Sequence, residues 1–445
     1  MKTAAGAPER RLRIALLVDR FGNRFGGAEA YGVELMRVLG QRHDVSVVAR
    51  DFESDLPFDY LPVRFPSWLP SWTRVLYFAW RADRLTRGRY DIVHSHMNGW
   101  VGEIQVMHVT PVRYNRVTRV KPLQRVTAWL SPRLATYLLL EKLRVRKAPQ
   151  RRVVAVSGLI MDQLHRSYGE ELAVDIIAPG VKLPAPDRNG DREATRARLG
   201  WDAGTIGCLL VARNPLRKGL PALLDALALL PPRYRLLVVG ADEPTRERVR
   251  AAGDVARRVT LVDPTPDVAQ YFNAADIYTH PTLNDSYGMA PLEAMSHGLP
   301  VVVSSPVYCG FAQYLTAGTD ALILQDPRDG AQLAQALESL GSDPELRAAL
   351  RSRGLEIARD QSWETVASRY EALYEQVLLE RHLTKRGGEP RFVQWRGAVA
   401  RSRSASQWMA CSRSGPHISC WGCSPPQKSG REGSPKIAQR MSGSN

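Results

Sequence analysis

Cysteine is scarce in this 445-residue sequence: five residues, too few and too scattered for a disulfide framework. Cys420 and Cys423 form a lone C-x-x-C with only Cys411 and His417 nearby. That is a poor set for zinc, and no metal is expected. Long apolar runs are lacking too, since nothing approaches the ~18 residues of a spanning helix. The run that follows the polar, basic N-terminus, residues 14–18, is too short for a signal sequence. The chain is therefore expected in the cytoplasm. Acids are few, 45 against 61 Lys+Arg, for a formal charge of +16. A hydrophobic fraction of 44% with 24% charged residues excludes a wholly disordered, collagen-like or polytopic membrane chain.

The positive excess is concentrated in two places. Residues 111–152 hold twelve Lys/Arg and one acid, Glu141, for +11, and residues 388–445 carry +7, leaving −2 for the rest. A near-neutral body with two basic patches differs from a uniformly basic nucleic-acid binder, and no nucleic-acid partner is expected.

Strand and helix patterns alternate along the body. Residues 12–18 read as a parallel strand buried on both faces. A loop with Gly22, Gly26 and Gly27 follows, then a helix with Ala28, Leu35, Met36 and Leu39 on one side, then a strand at 44–49. This is a Rossmann-type start. Further strands are expected at 90–94 and 153–157. After a polar stretch, 184–198, the plan repeats with strands at 205–212, 234–239, 259–262, 277–279 and 300–304 and a helix at 220–230. The fold class is α/β, two Rossmann-like domains facing a central cleft. The expected boundaries are 1–183, a linker at 184–199, a second domain at 200–360, and a helix at 361–387 packing back toward the first domain. In the tail, 388–445, Ser, Gly and Pro make up 23 of 58 residues against five Leu+Ile+Val+Phe, so it is expected to be disordered.

Two constellations carry chemistry. Residues 280–303 run from the end of one strand into the next. Asp285 and Ser286 stand where an N-cap would, Pro291 lies in the first turn and Gly298 at the stop. The amides of Tyr287, Gly288, Met289 and Ala290 would then form an anion site at a helix N-terminus. Glu293, one turn deeper, suits vicinal hydroxyls. The same residues also describe an ordinary capped helix with a solvated Glu. The second constellation, Arg213 and Lys218 after the strand at 205–212, can neutralise a diphosphate. Both fall at carboxyl ends of strands, where open α/β sheets bind ligands. Across the cleft, Gly26 and Gly27 open a helix and His108 is a candidate cleft residue, whereas His94 and His96 at a strand end read as structural.

With these residues in place, the stretch Asp285-Ser-Tyr-Gly-Met-Ala-Pro-Leu-Glu293 resembles the E-x7-E signature of the retaining glycosyltransferases of family 4, with Asp in place of the first Glu. Arg213, Lys218, Gly26, Gly27 and His108 match further positions of that family. Arg217-Lys-Gly-Leu220, Val238-Val-Gly240 and Cys309-Gly-Phe-Ala-Gln-Tyr-Leu315 make the resemblance greatest to lipopolysaccharide core glucosyltransferases. The resemblance, over about residues 12–379, implies a GT-B fold, a nucleotide-sugar donor such as UDP-glucose, retention of anomeric configuration, no metal or other cofactor, and a cell-envelope glycolipid or oligosaccharide acceptor. It implies Glu293 on the ribose, Asp285 and the following amides on sugar and phosphates, Arg213 and Lys218 on the departing diphosphate, and His108 at the sugar or incoming hydroxyl. Two departures stand out: Asp285 is a methylene short, and Pro264 replaces the usual Gly beside the base.

The basic segment 111–152 combines Lys121, Arg125, Trp129 and Arg133 with an apolar helical face, as in an interfacial helix on an anionic leaflet. Peripheral association with the inner face of the cytoplasmic membrane is therefore expected. A nucleotide-sugar epimerase or phosphorylase on the same scaffold, or a non-catalytic sugar-binding protein, are the alternatives.

Overall fold

In the computed structural model, residues 10–22, 25–66, 68–120, 131–148, 150–184 and 189–385 are described, less the side chains of Ala28, residues 189–191 and Lys385. The strands of the first lobe are β1 Arg13–Leu17, β2 Arg20–Phe21, β3 Asp44–Ala49, β4 Asp51–Phe52, β5 Asp59–Pro62, β6 Ile92–Ser95, β7 Ile104–Met107, β8 Arg152–Ala155 and β9 Val174–Ile176. Its helices are α1 Gly27–Leu39, α2 Ser71–Thr86, α3 Pro132–Val145 and α4 Gly158–Tyr168. The second lobe holds α5 Asn189–Arg198, β10 Ile206–Val211, α6 Leu220–Leu229, β11 Tyr234–Val239, α7 Glu243–Arg250, β12 Val259–Val262, α8 Ala269–Ala274, β13 Ile277–His280, α9 Met289–Ser296, β14 Val301–Ser304, β15 Leu322–Leu324, α10 Gly330–Ser342 and α11 Pro344–Asp360. The helix α12 Trp363–Lys385 follows.

Beside a two-stranded ribbon of β2 and β4, the two large sheets are parallel and share one plan. The first runs β5-β3-β1-β6-β7-β8-β9 and the second β12-β11-β10-β13-β14-β15. In each, the strand order reverses beside the first strand, between β1 and β6 and between β10 and β13. Loops leaving the carboxyl ends on either side of such a reversal diverge and open a crevice. The burial explains the reading of β1 and β10 as continuous apolar runs: Ile14, Ala15, Leu16 and Leu17, like Cys208, Leu209 and Leu210, are at most 1% exposed. In α1, Leu35, Met36 and Leu39 are fully buried, as the helical spacing predicts.

The linker expectation is corrected. Part of the polar stretch is α5, a helix of the second lobe. Its Arg192 and Arg196 pair with Asp276 and donate to the carbonyls of Asn273, Ala274 and Ala275. The polarity that reads as a connector is the side of the helix that binds a neighbouring backbone. β7 is a further strand between the two expected at 90–94 and 153–157. Gln105 interrupts its apolar run, yet is buried because its Nε2 donates to the carbonyls of Val101 at 2.6 Å and Gly102 at 3.0 Å.

The two chain crossings between lobes lie side by side. Val181 N donates to Gln361 O at 2.9 Å, and Gln361 Nε2 donates to Ala178 O at 3.0 Å and Pro179 O at 2.9 Å. From there α12 returns along the first lobe. Tyr370 meets Tyr31 hydroxyl to hydroxyl at 2.7 Å, and Glu371 takes Arg42 at 2.6 Å. Near its end, Arg381 holds Glu103 at 2.6 Å.

Candidate functional site

The site is built on the loop between β13 and α9. The N-cap of α9 is Gly288 at φ +103°, with no side chain capping it. This corrects the expectation that Asp285 and Ser286 cap the helix. They are used sideways instead: Asp285 N donates to Tyr308 O at 2.7 Å, Gly310 N to Asp285 O at 3.1 Å, and Ser157 Oγ to Ser286 O at 2.5 Å. The loop is thus laced to the segment after β14 and touched by α4 of the other lobe. Only glycine fits at 288, where a Cβ would lie 2.8 Å from Cys309 Sγ at a left-handed φ. A helix end without a capping side chain leaves the first-turn amides of Met289 and Ala290 open to an anion. The Tyr287 side chain turns inward, 3% exposed against Phe311; of this residue only the backbone belongs to the site.

Asp285 and Lys218 are brought together as an ion pair. The turn that carries Lys218 is seated by Gly219, whose φ of +96° places it where a Cβ would be 2.1 Å from Pro281 O. His280 Nε2 lies 3.0 Å from the same Asp285 oxygen. Burial alone would raise the Asp285 carboxyl, but the His280 hydrogen bond and the Lys218 charge overcome it and hold the group below the usual carboxylate range. Glu293, eight residues on, is different. Its carboxylate makes no hydrogen bond or ion pair with the described residues, and burial pushes its pKa up. A half-buried acid without a partner among the described residues, on the helix that follows a strand-end loop, is a candidate for binding rather than packing.

From the opposite lobe, Gly26 precedes α1, and the Arg213 guanidinium crosses to donate to Phe25 O. A Cβ on Gly26 would be 2.6 Å from Glu29 Oε2 and 3.8 Å from Arg213 Nη1, while one on Gly27 would meet nothing within 4 Å. The glycine loop therefore faces Arg213, with open space at Gly27. His108 follows β7. Its Nε2 is buried without a partner, and its ring packs on His96 at 4.4 Å and Tyr31 at 4.6 Å between centroids. Burial lowers its pKa to about 3, with the Arg144 charge acting the same way, so the ring is neutral at physiological pH. His94 and His96 bond each other at 3.2 Å, and His94 Nδ1 meets Tyr374 OH at 2.6 Å, a structural role as expected.

Three contributors lie in the motifs quoted above without a role of their own there: His280, Gly219 and the Cys309–Gly310 segment. His280 opens the signature stretch, and its place at the end of a strand was the signal to weigh.

The basic segment is only partly a surface. Lys121, Arg125 and Trp129 lie outside the described residues. Arg133 is exposed in the first turn of α3, as are Arg116, Arg119, Lys142, Arg146 and Lys147. Arg144, 4% exposed, instead donates to Val106 O and Asn98 Oδ1, and Arg152 pairs with Glu380. Glu141 is buried under Val112 N, Arg113 N and Tyr168 OH. Part of the +11 of residues 111–152 is therefore held inside the fold rather than on a surface. No described helix is long and apolar enough to cross a membrane.

Comparison with known proteins agrees with this geometry. Residues 25–183 match the family described as Glycosyltransferase Family 4, and residues 205–343 match Glycosyl transferases group 1. The D-inositol 3-phosphate glycosyltransferase of Rhodococcus opacus is 31% identical over 304 residues, 63% of this chain and 66% of that protein. Its namesake in Thermobispora bispora is 27% identical over 326 residues, 67% and 73% of the two chains. The chain thus spans about two thirds of the length of these relatives. Among solved structures, WaaG, a glycosyltransferase involved in lipopolysaccharide biosynthesis, superposes with a TM-score of 0.68 at 22% identity, over 80% of this chain and 98% of its own. HepE of Anabaena, in complex with UDP and glucose, superposes at 0.63 with 17% identity, over 82% and 100%. Two parallel α/β lobes, a shared strand order and both family matches lead to one conclusion: the chain belongs to the family 4 glycosyltransferases and has their GT-B fold.

Proposed function

We propose that this protein transfers a hexose, with retention of configuration, from a nucleotide sugar such as UDP-glucose to a hydroxyl of a cell-envelope glycolipid or oligosaccharide. The observation that carries the reading is Glu293, a half-buried carboxylate without a partner among the described residues, one turn inside a helix with no capping side chain, in the lobe that also presents Arg213 and Lys218. In this reading Glu293 accepts from the ribose hydroxyls, and the amides of Ser286, Tyr287, Gly288, Met289 and Ala290 receive phosphate oxygens. Asp285 meets the sugar, and Gly26 and Gly27 allow the diphosphate close to the backbone of the other lobe. Arg213 and Lys218 stabilise the charge that develops on the leaving diphosphate, which is often the largest catalytic contribution. Two fixed cations serve where a divalent metal would, so activity is expected to survive EDTA. His108, neutral and with a free nitrogen, accepts from or donates to the sugar or the incoming hydroxyl.

Calorimetric titration with UDP-glucose tests the donor, and silence toward UDP-, GDP- and ADP-sugars alike would sink the reading. A mass-shift screen with lipid extract tests the acceptor. The relatives named for D-inositol 3-phosphate support a second acceptor class, a small polyol phosphate, which belongs in the same screen. Net isomerisation of the donor without acceptor would favour an epimerase, a requirement for inorganic phosphate a phosphorylase, and binding without any turnover a sugar-binding scaffold.

The exposed cations of the first lobe, with Leu139 beside them at 52% exposure, support peripheral contact with an anionic leaflet. Each cation near such a surface contributes about 1 kcal/mol.

A further inference from the structure

The replacement of Glu by Asp at the head of the signature is tied to a neighbour. His280 is the last residue of β13 and 1% exposed. Its backbone is fixed by pairing with Val303, and its carbonyl accepts from Thr282 N at 2.8 Å and Ser304 Oγ at 3.2 Å. Its ring stacks on Tyr278, with centroids 6.1 Å apart and planes at 21°, and Nδ1 lies 3.4 Å from the Tyr278 hydroxyl. That hydroxyl in turn lies 3.5 Å from Val211 O, at the end of β10. The ring is therefore clamped from the sheet side, and only Nε2 faces the cleft.

An ionised carboxylate only accepts, so the 3.0 Å contact between Nε2 and Asp285 Oδ2 requires the proton on Nε2 and the lone pair on Nδ1, toward Tyr278. Oδ2 then receives two donors, His280 and Lys218. Oδ1 takes no side-chain bond from the described residues and is the oxygen available to a ligand. A side chain one methylene shorter than Glu has less reach, and two donors on one oxygen hold it in a single orientation.

We infer that His280 is a positioning residue for the transfer: its Nε2–H orients the Asp285 carboxylate, and through it the Lys218 ammonium, for the sugar and the departing diphosphate. This rests on the role proposed above for Lys218. The charged and titratable groups around the pair are Lys218 before α6, Tyr278 on β13, Glu293 on α9 and Cys309 after β14. Burial lowers the His280 pKa against the opposing effect of Asp285, so the ring is a neutral donor at physiological pH.

The test compares His280→Phe, which keeps a ring and removes the donor, with His280→Gln, whose amide nitrogen takes the place of Nε2. With His280→Phe, kcat should fall about tenfold or more while the donor KM stays within about threefold. The acid limb of kcat/KM should move up by about one pH unit, because burial then acts on Asp285 with one less opposing group. His280→Gln should recover most of kcat and restore the limb. A titration of the Asp285 carboxyl by carbon NMR, which needs no substrate, should show the same upward shift in His280→Phe and not in His280→Gln. An unshifted carboxyl overturns the inference, as does wild-type kcat in His280→Phe or equal impairment of both variants. Wild-type protein that binds no nucleotide sugar, with the NMR shift present, overturns the functional reading and the transfer role of His280 with it, leaving only a structural contact.

Discussion

Glu293 and Asp285 are two carboxylates at opposite ends of one signature, and their surroundings push them in opposite directions. Glu293 has its pKa raised by burial, so folding has to place an unpartnered charge in a poor solvent. For a carboxyl with a raised folded pKa, stability is lost as pH climbs above the unfolded value and through the folded one. Glu293→Gln should therefore raise the melting temperature at pH 7 while increasing the donor KM by about tenfold, the scale of a lost hydrogen bond to a charged group. A thermal melt and donor kinetics check both halves, and a lower melting temperature would show that Glu293 has a partner in the fold. Asp285 behaves the other way. Its depressed folded pKa contributes stability above the unfolded value of 3.8, and that contribution is lost only as pH falls through the folded value. The Lys218–Asp285 pair is thus intact throughout the physiological range.

Two glycines on site-bearing turns invite opposite outcomes. Gly219 starts α6 in a left-handed conformation, against the carbonyl of Pro281. Gly219→Ala brings both backbone strain and a clash, and should cost about 2 kcal/mol or more in denaturant unfolding while separating Lys218 from Asp285. Gly27→Ala, where a Cβ meets nothing within 4 Å, should leave stability within about 0.5 kcal/mol of wild type. If the open space is where the donor passes, this second variant should still lose turnover, and unchanged kcat/KM would place the donor elsewhere. Gly219 is readable in the sequence, but the partner that makes it necessary, Pro281, lies on a loop many residues away.

The two lobes are joined by α12, which starts beside the crossing chains and lies along the first lobe. Tyr370→Phe removes one half of the hydroxyl pair with Tyr31, leaving the other buried without its partner, at a cost of about 1–3 kcal/mol in global stability. Denaturant unfolding reads this directly, and a neutral variant would mean the pair is satisfied by water. The basic face predicts sedimentation with vesicles containing anionic lipid that weakens with salt and falls in Arg133→Glu. Binding to neutral vesicles alone would exclude the electrostatic reading. A chain ending at Gly387 should keep its solubility and activity, since the sequence of residues 388–445, which lie outside the described residues, offers no apolar pattern for a core.

The α/β alternation, the paired Rossmann-like architecture and the place of Arg213, Lys218 and Asp285 on strand-end loops were legible in the sequence. Apolar runs and strand-end loops are local patterns that survive without coordinates. Strand β7, interrupted by Gln105, and helix α5, with Arg192 and Arg196 turned to its own lobe, were not. In β7 the Gln105 amide nitrogen is taken up by the nearby carbonyls of Val101 and Gly102. In α5 the arginines are satisfied by backbone groups 78 to 83 residues away, so that no local window contains their partners. The same holds for the uncapped start of α9. Asp285 and Ser286 have the composition of caps, and only the tertiary structure, by lacing them to the segment after β14, to Ser157, and to Lys218 and His280, decided that they tie the loop down sideways instead. What a residue is disposed to do is written in its own neighbourhood, whereas which of several partners it takes depends on contacts across the two lobes.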